Sequence, residues 1–196
     1  MKILLTGPTG QVGGELGRVF QGLGEVVSLP RSALDLAQAA MVARVIRDLR
    51  PDLILNAAAY TAVDRAESER ELAMAVNGQA PKVMAEEAKK LGAFLVHYST
   101  DYIFDGSKAG PYAEDDIPHP INAYGESKLE GERAIVASGC GHLILRTSWV
   151  YAPRGKNFFL TIAQKARSGA PLRVVADQRG VPTSASYTAE TTRALL

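Results

Sequence analysis

K-I-L-L-T-G-P-T-G-Q-V-G, residues 2–13, is the stretch that decides the fold, because a short apolar run leads directly into glycines at positions 7, 10 and 13. The run 2–6 predicts a buried strand, and a helical pattern begins after Gln11. Glycines with this spacing allow a tight turn, bring the backbone close to a pyrophosphate, and let the helix pack on the strand. The helix N-terminus adds free N–H groups and a partial positive charge. An ordinary glycine-rich turn is the alternative, but the position between strand and helix favours a dinucleotide-binding unit.

Outside this stretch, short apolar runs alternate with longer segments of helical period. Further strands are predicted over residues 25–29, 52–56, 93–98 and 142–147, and helices over 38–49, 71–91 and from Asn122 onward. Strands that alternate with helices form a parallel sheet that is covered on both faces. The sequence therefore predicts an α/β fold with a Rossmann-type doubly wound parallel sheet.

The chain is predicted to divide at residue 150. Residues 1–150 would form an NAD(P)-binding domain that carries the catalytic residues, and residues 151–196 would begin a small substrate domain. A helix is predicted over 157–168, and the last segment, 189–196, has a helical pattern that ends with neither a cap nor a turn residue. The C-terminal substrate domain is therefore expected to be truncated. The polar stretch 99–122 is predicted to be a long functional loop.

Composition narrows the classes of partner. The 196 residues include 22 basic and 21 acidic ones, a formal charge of +1, and no basic stripe indicates nucleic acid. The N-terminal apolar run is too short for a signal peptide or a membrane span. Cys140 is the one cysteine, so neither an intrachain disulfide nor a cysteine-based metal site is predicted. These features favour a cytoplasmic protein that binds a small molecule rather than nucleic acid, membrane or metal.

The end of the second strand bears on the choice of cofactor. It reads Ser28-Leu29-Pro30-Arg31, where many NAD-binding folds carry an acidic residue for the ribose hydroxyls. An arginine at this place can pair with the 2′-phosphate of NADP. Arg31 therefore predicts NADPH as the preferred cofactor and NADH as the second choice; the alternative is that Arg31 is a solvated loop residue.

A tyrosine and a lysine four residues apart, Tyr124 and Lys128, are predicted on the helix after the fourth strand. The spacing places both on one helix face. Reduction of a ketone by hydride needs a proton donor at the carbonyl oxygen, and a phenol has an ordinary pKa of about 10. A nearby ammonium is expected to lower the pKa of the Tyr124 phenol. Such a pair occurs by chance on many helices, but its place after the glycine turn and four strands favours catalysis.

Hydroxyl residues end the fourth strand, in His97-Tyr98-Ser99-Thr100-Asp101-Tyr102. One hydroxyl is expected to donate a hydrogen bond to the substrate carbonyl, and Ser99 and Thr100 are rivals for that role. A plain capping role is the alternative for both. His97 lies among strand-type residues and is interpreted as an interior or edge residue rather than a catalyst.

Six motifs together resemble the dTDP-4-dehydrorhamnose reductases among the extended short-chain dehydrogenases. They are T-G-P-T-G-Q-V-G (6–13), N-A-A-A-Y-T-A-V-D-R-A-E (56–67), H-Y-S-T-D-Y-I-F-D-G (97–106), N-A-Y-G-E-S-K-L-E-G-E (122–132), L-R-T-S-W-V-Y (145–151) and D-Q-R-G-V-P-T (177–183). The resemblance covers the whole chain. It implies reduction of the C4 ketone of dTDP-4-dehydro-L-rhamnose to dTDP-L-rhamnose, for the synthesis of surface polysaccharide.

The resemblance also implies roles for individual residues. Thr100, Tyr124 and Lys128 would be catalytic, and Thr100, Asp101 and Trp149 would contact the sugar. The cofactor would be lined by Gly7, Gly10, Gln11, Val12, Gly13, Arg31, Asp35, Leu36, Ala59, Tyr60, Thr61, Tyr98 and Lys128. A homodimer and Mg²⁺ are further implications, although the sequence offers no acidic cluster to which a metal can be assigned.

Two other functions fit parts of the same pattern. A sugar-nucleotide dehydratase or epimerase shares the fold and the tyrosine–lysine pair, but a dehydratase of this type uses an Asp-Glu pair directly after the threonine. Here Thr100-Asp101 is followed by Tyr102. The second alternative is a catalytically silent regulatory subunit similar to the methionine adenosyltransferase beta subunit, against which the intact Thr100, Tyr124 and Lys128 argue.

Overall fold

A five-stranded parallel sheet forms the centre of the molecule, in the order β2-β1-β3-β4-β5. The structure is a computed structural model and describes residues 1–169 and 171–196. The strands are β1 (Lys2–Thr6), β2 (Glu25–Leu29), β3 (Leu53–Asn56), β4 (Phe94–Thr100) and β5 (Gly141–Thr147). The predicted doubly wound Rossmann-type sheet is confirmed, because helices cover both of its faces.

The helices in chain order are α1 (Gln11–Val19), α2 (Ala39–Leu49), α3 (Val63–Ala66), α4 (Arg70–Met74), α5 (Ala80–Leu91), α6 (Ala123–Ser138), α7 (Phe158–Arg167) and α8 (Ala185–Ala194). Alternate residues of each strand face opposite sides of the sheet. On one side Leu4 packs in a buried cluster with Ile46 of α2 and Met84 of α5. On the other side Leu5 packs with Leu16 of α1 and Ala189 of α8. The two clusters hold the carboxyl ends of the strands at one edge.

The helix predicted over 71–91 is interrupted by one π turn, Ala75–Gln79, between α4 and α5. Pro81 at the start of α5 lacks an N–H group, so the regular hydrogen-bond pattern cannot pass through it. A π turn accommodates this irregularity and often marks a functional site. It also carries Asn77, which is 1% exposed.

The last part of the chain departs from the prediction in two details. Strands β6 (Val150–Tyr151) and β7 (Thr183–Ser184) form a separate parallel pair. Helix α8 begins at Ala185, earlier than predicted, and packs against α1. The division at residue 150 stays a prediction. Within residues 1–169 and 171–196, no helix is long and apolar enough to cross a membrane.

Candidate active site

A cleft of about 790 Å³ lies at the carboxyl edge of the sheet. Its size is typical of small-molecule sites, and its place is where open α/β sheets put their ligands. Nearly all the residues predicted for cofactor and substrate line it: Gly7, Gly10, Gln11, Val12, Arg31, Asp35, Leu36, Ala59, Tyr60, Thr61, Tyr98, Thr100, Asp101, Tyr124, Lys128 and Trp149. Gly13 is the exception and packs behind the cleft.

The glycine turn is a backbone cradle that side chains would fill. Gly7 has a φ of +64°, and a Cβ on it would lie 2.9 Å from the Cα of Ala58. A Cβ on Gly13 would lie 2.0 Å from the Gly7 carbonyl oxygen, so α1 sits directly on the turn. Gly10 is the N-cap of α1 and has no side chain to bond the first N–H groups. These groups suit a pyrophosphate.

Arg31 lies at the edge of the cleft, just past β2, with 76% of its side chain exposed. Its Nε lies 3.7 Å from Oδ1 of Asp35, and the same oxygen accepts the N–H of Ala37 at 3.1 Å. An exposed ion pair of this length holds the guanidinium only weakly. The arginine is therefore placed to turn toward a phosphate in the cleft, and its role toward NADPH stays a prediction.

The loop after β3 is tied to the catalytic helix through the π turn. The N–H of Tyr60 donates to Oδ1 of Asn77, and Nδ2 of Asn77 donates to the Tyr60 carbonyl, both at 2.9 Å. Nδ2 also donates to Oγ of Ser127 on α6 at 3.0 Å. Asn77 therefore couples a wall of the cleft to the helix that carries Tyr124 and Lys128.

Tyr124 lies in the first turn of α6 and is 9% exposed. Burial raises the pKa of its phenol to about 12; the hydroxyl of Thr100 acts in the opposite direction, and the Asp101 carboxylate adds to the rise. The predicted lowering of this pKa is wrong, because burial outweighs the nearby charge. The phenol is consequently protonated at neutral pH.

Lys128 lies one turn further along α6 and is 1% exposed. Its Nζ donates to the carbonyl oxygen of Tyr98 at 2.6 Å and lies 3.2 Å from Nε2 of His97. Burial lowers the pKa of Lys128 to about 8, and the Glu132 carboxylate acts against that decrease. Both of these partners of Nζ lie on β4, and the rise in the pKa of Tyr124 comes first from the burial of the phenol.

The two rival hydroxyls of β4 have different environments. Oγ1 of Thr100 accepts the N–H of Tyr102 at 3.2 Å and donates to Oδ1 of Asp101 at 3.1 Å. Oγ of Ser99 is buried, and the part of the chain that the structure describes offers it no hydrogen-bond partner. Both residues line the cleft, and the choice of Thr100 as the contact for a substrate carbonyl stays a prediction.

The residues predicted for the sugar are linked through Ser148. Oδ2 of Asp101 accepts the Ser148 hydroxyl at 2.7 Å, and Trp149 follows directly. Trp149 has a φ of +44°, a left-handed conformation that is rare for a bulky residue. Its indole is 44% exposed and lines the cleft. Backbone strain of this kind concentrates at functional sites, and a flat apolar ring suits a sugar.

The sequence analysis assigned no site role to three buried polar side chains at or next to the cleft: Asn56, Asn77 and His97. His97 was correctly placed in the interior, but its ring lies against Lys128, which strand periodicity does not reveal. The usable signal was an amide or imidazole within an otherwise apolar run, because such groups require buried partners.

The residues that the structure describes give no support for a metal site. Among the side chains of residues 1–169 and 171–196, no three His, Cys, Asp or Glu groups come together as metal ligands. The Mg²⁺ that the resemblance implies therefore lacks a candidate site in the described part of the chain.

Comparison with known proteins gives one family. Residues 1–196 match the family described as the RmlD substrate binding domain. The dTDP-4-dehydrorhamnose reductase of Burkholderia thailandensis is 50% identical over 192 residues, which cover 98% of this chain and 64% of that protein. The chain thus spans just under two thirds of the length of that relative.

Solved structures agree with this result. A dTDP-4-dehydrorhamnose reductase from Clostridium acetobutylicum superposes with a TM-score of 0.95 at 38% identity, covering 100% of this chain and 70% of the other. The enzyme of the same name from Bacillus anthracis, determined in complex with NADP, superposes with a TM-score of 0.94 at 35% identity. The match covers 99% of this chain and 69% of the Bacillus anthracis chain.

Proposed function

We propose that this chain, which belongs to the family of the RmlD substrate binding domain, reduces the C4 ketone of dTDP-4-dehydro-L-rhamnose with NADPH to give dTDP-L-rhamnose. The observation that carries the proposal is the cleft itself, in which a glycine turn, a buried Tyr124–Lys128 pair and the Thr100 hydroxyl meet. The relative from Burkholderia thailandensis bears the name of this activity. A cytoplasmic location and a homodimer stay predictions.

The residues that line the cleft fit a dinucleotide cofactor. The turn at Gly7, Gly10 and Gly13 leaves little space for side chains, which suits a bound pyrophosphate. Arg31, at the edge of the cleft, is proposed to pair with the adenosine 2′-phosphate. The NADP complex of the Bacillus anthracis structure supports NADPH as the cofactor. The hydride that C4 receives comes from the reduced nicotinamide when the cofactor is bound.

The chain's own residues supply the proton and hold the ketone. When the ketone is bound, the Thr100 hydroxyl turns from Oδ1 of Asp101 and donates its one hydrogen bond to the C4 carbonyl oxygen. The Tyr124 phenol donates its proton to that oxygen as the C4–H bond forms. A phenol with a pKa of about 12 is fully protonated at neutral pH, as a donor must be. The phenolate left behind is stabilised by the positive charge of Lys128.

The geometry favours reduction over dehydration. The Asp101 carboxylate accepts hydrogen bonds from the hydroxyls of Thr100 and Ser148. The next residue, Tyr102, packs edge-to-face on Tyr124 with ring centroids 5.7 Å apart. An aromatic ring thus occupies the position where a dehydratase of this type carries its second carboxylate. Asp101 and Trp149 are proposed to bind the sugar.

The direct test is oxidation of NADPH by purified protein in the presence of dTDP-4-dehydro-L-rhamnose, followed by absorbance. Tyr124→Phe removes only the acidic hydroxyl and is expected to lower kcat about 10²- to 10⁴-fold without loss of folding. Tyr187→Phe on α8, where the ring is 68% exposed, is the matched control and should keep full activity. No oxidation by the wild type, or equal rates for Tyr124→Phe and wild type, would contradict the proposal.

A further inference from the structure

A line of four buried polar side chains crosses the sheet behind the cleft and ends at Lys128. Oγ1 of Thr6 on β1 donates to Oδ1 of Asn56 on β3 at 2.8 Å, and Nδ2 of Asn56 lies 3.0 Å from Nδ1 of His97 on β4. Nε2 of His97 lies 3.2 Å from Nζ of Lys128. Each of the four residues is 1% exposed. Without water around them, donors and acceptors along this line must match one another.

His97 is neutral in this line. Burial, and then the charge of Lys128, hold the pKa of the imidazole well below its usual range. A neutral imidazole has one N–H and one lone pair, so the ring donates at one end and accepts at the other. Nδ1 faces Asn56 and Nε2 faces Lys128. Whether the ring donates or accepts at one of these contacts therefore determines whether it accepts or donates at the other.

Two consistent arrangements follow. An ammonium on Lys128 has donors only, so it needs the lone pair of Nε2, and the ring proton is then on Nδ1. Asn56 must turn its amide oxygen toward Nδ1, so that its Nδ2 donates to Oγ1 of Thr6 in place of the present bond from Thr6 to Oδ1. An amine on Lys128 has a lone pair that accepts Nε2–H, and Nδ1 then accepts from Nδ2 of Asn56. The amide orientation in this structure corresponds to the amine form.

We propose that His97 is a positioning residue for Lys128: its imidazole and the Tyr98 carbonyl hold Nζ from two sides, and the ring changes tautomer together with the protonation of the lysine. In the ammonium form this leaves one N–H of Nζ for a ligand in the cleft that Lys128 lines. The kinetic part of this inference rests on the proposed reductase activity. The coupling between the tautomer of His97 and the protonation of Lys128 does not rest on that activity.

The surroundings of Lys128 place its titration close to neutral pH. The groups next to it are Glu132 on α6 and His97 and the Tyr98 carbonyl on β4, and Tyr124 lines the same cleft. Glu132 is paired at 2.8 Å with Arg146 on β5. Burial brings the pKa of Lys128 to about 8. The ammonium arrangement therefore holds below that pH and the amine arrangement above it.

Two amide variants separate positioning from packing. His97→Gln reaches the place of Nε2 with an oxygen or an NH₂ group, whereas His97→Asn reaches only the place of Nδ1 and leaves Nζ without that partner. A hydrogen bond from a charged donor is about twice as strong as a neutral one, so loss of the acceptor penalises the ammonium more than the amine. The pKa of Lys128 should fall in His97→Asn.

In the reductase assay, His97→Asn should lower kcat about tenfold or more and move the alkaline limb of the pH profile about one unit lower, with the KM for NADPH changed less than about threefold. His97→Gln should keep most of kcat and the wild-type limb. If both variants keep the wild-type limb, or both lose activity in proportion to a fall in Tm, the positioning role is wrong.

The tautomer is measured without any turnover. In protein labelled with ¹⁵N histidine, the protonated nitrogen of His97 should change from Nδ1 to Nε2 between about pH 6 and about pH 10, around the pKa of Lys128. Lys128→Met should abolish that change. One nitrogen protonated over the whole range in the wild type would overturn the coupling. A tautomer change in a protein that reduces no sugar would leave the coupling intact and count against the proposed function alone.

Discussion

The indole of Trp149 lies against Gly180 so closely that a Cβ on Gly180 would be 2.6 Å from Cε2 of the ring. Gly180→Ala should therefore displace the indole of Trp149, a residue whose backbone is already strained. We expect the KM for the nucleotide sugar to rise about tenfold, and the fluorescence of this one tryptophan to change in intensity and wavelength. Steady-state kinetics and emission spectra measure the two effects.

Gly110→Ala is the matched control, because a Cβ at Gly110 in the long loop meets no atom within 4 Å. It should leave both the spectrum and the KM unchanged. If Gly180→Ala has the spectrum and the KM of the wild type, contact with Gly180 does not position Trp149.

Much of the fold could be predicted because its signals are local. The glycine spacing at 7, 10 and 13 and the apolar runs determined the order of strands and helices, and the five main strands agree within one or two residues. The π turn at Ala75–Gln79 was not predicted, because it depends on Pro81 and on a partner for Asn77 that is distant in sequence. Local pattern carries no information about such a partner.

The site was predictable as a set of residues but not as an electrostatic environment. The spacing of Tyr124 and Lys128 placed both on one helix face and in one cleft. It could not show that Nζ is engaged by Tyr98 and His97, nor that burial of the phenol raises the pKa of Tyr124. Burial and tertiary contacts decide the sign of that shift.

Two glycines of α1 should respond in opposite directions to the same substitution. In Gly13→Ala the added Cβ would lie 2.0 Å from the Gly7 carbonyl oxygen, so either α1 or the turn must move. We expect a loss of about 3 kcal/mol in the free energy of unfolding and much weaker binding of NADPH. Urea unfolding and cofactor titration measure these effects.

Gly17→Ala is the control for that variant, because its Cβ would lie at an ordinary 3.6 Å from Cδ2 of Leu5. Alanine has the higher helix propensity, so a gain of up to about 1 kcal/mol is expected, with NADPH affinity unchanged. Equal affinity for NADPH in both variants would show that the close approach at Gly13 has no role in the cradle.

Arg31 should determine the choice of cofactor. Its guanidinium is largely exposed at the edge of the cleft, and Arg31→Ala removes the group that we expect to pair with the 2′-phosphate. The ratio of kcat/KM for NADPH to that for NADH should fall about tenfold or more, mainly through the KM for NADPH. Arg44→Ala, an exposed arginine on α2, should not change the ratio. An unchanged ratio in Arg31→Ala would mean that selectivity lies elsewhere in the cleft.

Glu87 should make stability depend on pH in the acidic range. Its side chain is 4% exposed and lies 2.6 Å from Nη2 of Arg47 on α2 and 2.8 Å from Nζ of Lys90. The hydrogen bond from Arg47, followed by that from Lys90, lowers the pKa of Glu87 to about 2 against burial, from 4.5 without these contacts. A lowered pKa in the folded state stabilises the protein above the unfolded pKa, and this contribution is lost as the pH falls from about 4.5 toward 2.

Glu87→Gln should therefore cost about 2 kcal/mol at pH 7, a value reduced for the solvent around the exposed guanidinium of Arg47. The difference from wild type should shrink by more than half at about pH 3, because the wild-type carboxylate then approaches its own protonation. Urea unfolding at both pH values measures it. Glu86→Gln, an exposed neighbour on α5, should cost almost nothing at either pH. A difference that is the same at both pH values would show that Glu87 stabilises α2 against α5 by packing and not by charge.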